Sequence, residues 1–95
     1  MNALLTLQSR LEALGYEVCV HVLAPGTTFG AHCACEARID AVFSGQLRLV
    51  IGGRAHLLGP GDWIDIPAGV CMTAEVVGDE PVLGIDATRN PAAAA

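Results

Sequence analysis

Leu4, Leu7, Leu11 and Leu14 recur at helical spacing, while Gln8, Arg10 and Glu12 fall off that stripe. Gly15 follows as a stop signal, so residues 3–14 are expected to form a short amphipathic helix packed on another element. The same leucines would open a coiled coil, but about two heptads are too few to sustain one. Beyond Gly15 the pattern changes to short runs with period two, separated by turn residues. The expected strands are Tyr16–Leu23, Arg38–Ser44, Gln46–Ile51, Arg54–Leu58, Trp63–Ile66, Cys71–Val77 and residues 82–88. Gly52-Gly53 is a two-residue hairpin signal, because glycine takes positive φ without strain. Short strands at even spacing predict an all-β antiparallel sandwich or barrel behind an N-terminal helix. The division expected is 1–15 helix, 16–88 barrel and 89–95 tail, with no ordering signal in residues 90–95.

Alternation also assigns faces. Leu47, Leu49 and Ile51 share one face, with Gln46 and Arg48 on the other. Met72, Ala74 and Val76 are expected to point inward, with Cys71, Thr73 and Glu75 outward. In Arg38–Ser44 the row Ile39, Ala41, Phe43 alternates with Arg38, Asp40, Val42. Such a strand fits a sheet covered on both faces.

Composition narrows the class. Ninety-five residues bound one domain with a modest core. Hydrophobic residues make up 53% and charged ones 16%, which excludes a disordered chain. That surplus of apolar surface leads to the expectation of a homodimer. The net charge is −5 and the basic residues are scattered arginines, so no nucleic acid or membrane partner is expected. Residues 1–14 lack a basic n-region and a clean apolar stretch, and no run is long enough to span a bilayer. The expected location is cytoplasmic, with all four cysteines as reduced thiols. Two disulfides are the alternative.

Two turn-rich segments carry a more specific spacing. One is Pro25-Gly26, then His32-Cys33-Ala34, Arg38 and Gly45. The other is Gly61-Asp62, then Pro67-Ala68-Gly69 and Met72. With the Val42-Phe43-Ser44-Gly45 lead-in, they resemble the two signature motifs of the cupin family, over residues 16–88. The resemblance implies a jelly-roll β-barrel of about six to eight strands, often a homodimer, with a ligand pocket at its mouth. It also implies a divalent metal held by two histidines of an H-x-H, a Glu four residues on, and a third histidine in the second motif. Those positions here read His32, Ala34, Arg38 and Met72. The segment Arg38-Ile39-Asp40-Ala41-Val42 resembles a cupin subgroup with a basic residue in place of the Glu ligand.

Ala34 has no donor atom, Arg38 is a permanent cation, and the Met72 thioether suits Cu(I) better than Fe(II), Mn(II) or Zn(II). Metal-dependent oxygenase chemistry of the usual cupin type is therefore not expected. His32 is either a lone ligand or a neutral imidazole in an inherited pocket. Arg38 either anchors a ligand carboxylate or pairs locally with Asp40 or Glu36. Asp40 shares its face. The expected ligand site is His32, Ala34, Arg38, Asp40 and Met72, taking a small anionic or apolar molecule.

The cysteines offer a competing reading. Cys33-Ala34-Cys35 and Cys71 lie in segments expected to converge, so Cys35 and Cys71, helped by His32 or Met72, are candidates for a thiophilic metal, Cu or Zn. Alternation turns Cys33 and Cys71 away from His32 and Met72, and cysteine is also a common small packing residue. His21 and Cys19 share one face of the first strand and are expected to line a pocket or core. His56 is expected on a partly exposed strand. No phosphate loop, no local Ser-His-Asp set and no paired carboxylates suited to an acid/base role are evident. Three functions stay open: a binding module, a thiol metal protein, and a cupin dioxygenase-like enzyme with substituted ligands.

Overall fold

A computed structural model describes residues 3–33 and 35–89, with only the backbone of His32. Helix α1 spans Ala3–Ala13 and is followed by β1 (Tyr16–Leu23), β2 (Thr28–Cys33), β3 (Arg38–Ser44), β4 (Gln46–Ile51), β5 (Arg54–Leu58), β6 (Trp63–Ile66), β7 (Cys71–Val77) and β8 (Val82–Arg89). Two four-stranded antiparallel sheets have the orders β1-β8-β3-β6 and β2-β7-β4-β5. Apart from the consecutive β4 and β5, neighbours within each sheet come from distant parts of the chain, the mark of a jelly roll.

The strands fall where period-two alternation puts them. Leu47 and Leu49 are buried, as are Met72 and Val76, and all join one cluster between the sheets with Val42, Leu58, Ile66 and Val82. Ile51 and Ala74 are partly buried against it. Arg48 and Glu75 stand opposite each other on the outer face, 4.0 Å apart. Gly52 and Gly53 both have positive φ, 56° and 83°, and close the β4–β5 hairpin as its sequence predicts.

A second cluster explains the doubly apolar pattern of β3. Ile39 and Ala41 lie on the outer face with Ile85 and Ala87, and Leu11 of α1 covers them. The helix stripe thus holds for Leu4, Leu7 and Leu11. Leu14 does not belong to it: the helix ends at Ala13, and Leu14 is 66% exposed in the closing turn before Gly15. Strand β2 was not among the expected strands, and β8 runs one residue past position 88. Among the described residues, no helix is long and apolar enough to cross a membrane. The tail from 90 to 95 lies outside them.

Candidate functional site

Because Ile39 and Ala41 face the helix, alternation sends Arg38 and Asp40 to the inner face of β3. The register of β8 then sets Asp86 directly opposite Asp40. On the far side of β8, β1 brings His21 opposite Gly84. A Cβ at Gly84 would come within 2.5 Å of the Ala41 carbonyl oxygen and 3.4 Å of His21 Nε2. Glycine there lets β3 approach and leaves room for the imidazole. From the opposing sheet, β7 contributes Met72.

These side chains meet at one guanidinium. Arg38 Nε lies 3.5 Å from Asp40 Oδ1 and 3.3 Å from Asp86 Oδ1. Arg38 Nη2 donates to Met72 Sδ at 2.8 Å. The Asp40 side chain is 9% exposed, and Asp86 Oδ1 is buried without a hydrogen-bond partner. Burial pushes the Asp40 carboxyl up to about 7, Arg38 opposes that rise, and the charge of Asp86 and a hydrogen bond with it add to the rise. His21 moves below its ordinary 6.5, mainly through burial; Asp86 pulls it up and Arg38 pushes it down. The imidazole is therefore mostly neutral at pH 7.

The cluster opens into a cavity of about 220 Å³. Its remaining wall is largely apolar, with Leu23 from β1, Phe29 from β2, Leu49 from β4 and Ala74 from β7. A polar group at one end of an apolar chamber is the usual design of a small-molecule site.

The structure brings together Arg38, Asp40 and Met72 of the expected site. The His32 backbone pairs with Met72, and Ala34 lies outside the described residues. Two further members are Asp86 and His21. His21 was expected as pocket or core lining. Asp86 was not singled out, and no carboxylate pair with an acid/base role was expected; β8 supplies the second carboxyl. Its one signal in the sequence is a lone acidic residue inside the apolar run Val82-Leu83-Gly84-Ile85-Asp86-Ala87.

The thiols are arranged differently from expectation. Cys33 and Cys71 stand opposite each other on β2 and β7 and form a disulfide. With that bond in place Cys71 has no thiolate to offer a metal, and the expectation of four reduced cysteines is corrected. Cys35 and Cys19 are free and exposed, so Cys19 lines no core. Among the described residues no group of three or more His, Cys, Asp or Glu side chains is placed to hold a metal ion. The family's metal position itself does not fit a hard cation, because a guanidinium rests on the thioether that replaces the third histidine.

Solved structures share this fold. A Cupin 2 conserved barrel domain protein from Salinispora arenicola matches with a TM-score of 0.74 and 25% identity, over 83% of this chain and 66% of its own. The chain is a cupin by fold. The cupin domain of Schizosaccharomyces pombe Cnp3 matches with a TM-score of 0.71 at 12% identity, over 80% of this chain and 57% of that one. The Cupin 2 domain of an XRE family transcriptional regulator from Enterobacter cloacae has a TM-score of 0.71 at 22% identity, covering 84% of this chain and 86% of the other. The chain thus spans 66% and 57% of the first two proteins and most of the third. No family model and no curated protein sequence matches the chain.

Proposed function

We propose that this cupin binds a small, mainly apolar molecule inside its barrel, oriented by the polar cluster of Arg38, Asp40 and Asp86. The observation that carries the reading is the juxtaposition of this cluster with an apolar cavity of about 220 Å³. A buried ion cluster is a poor stabiliser, since well-packed apolar residues of similar volume do as well or better. Its presence at a cavity wall is what a binding site requires and a packing core does not. The donor set argues against the oxygenase reading, and the Cys33–Cys71 bond takes up one of the two thiols of the thiol reading.

The test is ligand-observed NMR with benzyl alcohol and cyclohexanol as probes, on the wild type and on Ala74→Phe. Ala74 lines the cavity, and a ring there would fill it. Saturation transfer is expected with the wild type and is expected to vanish in Ala74→Phe while the circular dichroism spectrum stays the same. No transfer to either probe in the wild type would sink the reading.

A further inference from the structure

We infer that the cavity selects small organic cations, a protonated amine on an apolar body, with Asp40 and Asp86 as the acceptors. This rests on the binding reading above and adds the chemical class of the occupant.

The cluster contains two carboxyl groups and one guanidinium. The described side chains from the other elements do not change that balance. On β1 the facing groups are His21, which burial keeps mostly neutral at pH 7, and Cys19, an exposed thiol in register with Asp86. On β6 the residue paired with Asp40 is Ile64. From β2, β4 and β7 the wall receives Phe29, Leu47, Leu49, Met72 and Ala74, none of them charged. With Asp40 ionised the chamber carries one excess negative charge, and with its proton in place the cluster is neutral.

Geometry points the same way. Arg38 is the group an anion would need, but it is already flanked by both carboxyls and by the Met72 sulfur. An incoming carboxylate would have to displace these partners and would sit beside two groups of its own sign. An ammonium meets the opposite situation. Asp86 Oδ1 is buried and makes no hydrogen bond, its contact with Arg38 Nε being an ion pair at 3.3 Å, and Asp40 is directly across the strand pair. An N–H donor between them completes the acceptors and leaves the Arg38 contacts intact. Phe29, which lines the cavity from the opposing sheet, offers an aromatic ring to the apolar body or to the cation.

The proton on Asp40 couples to this event. An ammonium favours the ionised carboxylate, so binding expels the proton that burial holds there. The amine itself stays protonated well above neutrality, as a lysine does. Affinity is then expected to rise about tenfold between pH 6 and pH 8, the response of a single acceptor titrating near the middle of that range.

The experiment is isothermal titration of the wild type with benzylamine, benzyl alcohol and benzoate at pH 6 and pH 8. These probes share a ring and differ in charge. Benzylamine is expected to bind about tenfold or more tightly than benzoate at pH 8, and its affinity alone is expected to climb with pH. In Asp40→Asn the climb is expected to disappear while benzyl alcohol still binds, which shows the cavity intact. If that variant does not fold, the charge series on the wild type decides alone. Benzoate binding more tightly than benzylamine overturns the inference and restores Arg38 as an anion anchor. Equal binding of amine and alcohol without pH response overturns it too, and leaves the cavity reading standing. Failure of all three probes to bind removes both.

Discussion

At Asp40 the sequence and the fold pull a titration away from its ordinary place. The unfolded carboxyl titrates near 3.8, and the folded one is pushed up to about 7 by burial first. Between those values the folded state holds a proton the unfolded chain has lost. The stability tied to that proton is fully present below about 3.8 and is lost as pH rises through about 7. His21 runs in the other sense: its share is present above its ordinary 6.5 and is lost as pH falls through its lowered folded value. Comparing the wild type with Asp40→Asn cancels the histidine. The expected result is a urea midpoint that falls between pH 5 and pH 8 relative to that of Asp40→Asn, whose own profile lacks the Asp40 share. Parallel profiles would show that Asp40 is not held protonated. The site was legible up to a point. Arg38 and Asp40 could be placed on one inner face because alternation is a local property, and Met72 because its strand repeats an apolar row. Asp86 could not, because its meeting with Asp40 depends on which strands pair and in what register.

Strand β2 shows what local pattern misses. Thr28-Phe29-Gly30-Ala31-His32-Cys33 has no apolar alternation, and Gly30 weakens it further. It lies at the edge of its sheet, pairs only with β7, and its register shifts between Phe29 and His32. Tertiary pairing and the Cys33–Cys71 bond hold it. The remaining strands each carry either period two or a flanking turn signal, which is why they could be read directly. The disulfide closes a sequence separation of 38 residues, so its loss is expected to cost about 3–4 kcal/mol. Two thiols, Cys19 and Cys35, are free and exposed. A maleimide label is therefore expected on two cysteines of the unreduced native protein and on all four after reduction and unfolding. The urea midpoint is expected to drop when reductant is added. Four reactive thiols before reduction would mean that the bond does not persist in solution, as is the rule in a reducing cytosol.

On the scale of the whole molecule, α1 covers only part of the outer face of the sheet β1-β8-β3-β6. Tyr16 and Val18 lie under the helix. Val20 and Val22 continue the same row of β1 beyond it and are 47% and 68% exposed. At the opposite edge Trp63 is 59% exposed, and it pairs with Ala41 in the cross-strand row that also contains Ile85 and Val20. The exposed side chains are large, apolar and on one face, and β1 is also an edge strand whose outer backbone groups invite pairing. A second copy of the chain would cover both features with the same surface, as a two-fold interface requires. A homodimer is what the 53% hydrophobic content leads one to expect, and this face is the surface proposed for it. Light scattering at micromolar concentration is expected to give about twice 9.8 kDa for the wild type. Val22→Lys puts a charge on a position already exposed in the single chain, so it should leave the fold intact and bring the mass down to one copy. Trp63 emission is expected to shift to longer wavelength in the same variant, as the ring returns to water. A wild-type mass of one chain, or a dimer indifferent to Val22→Lys, would place the missing cover for this face elsewhere.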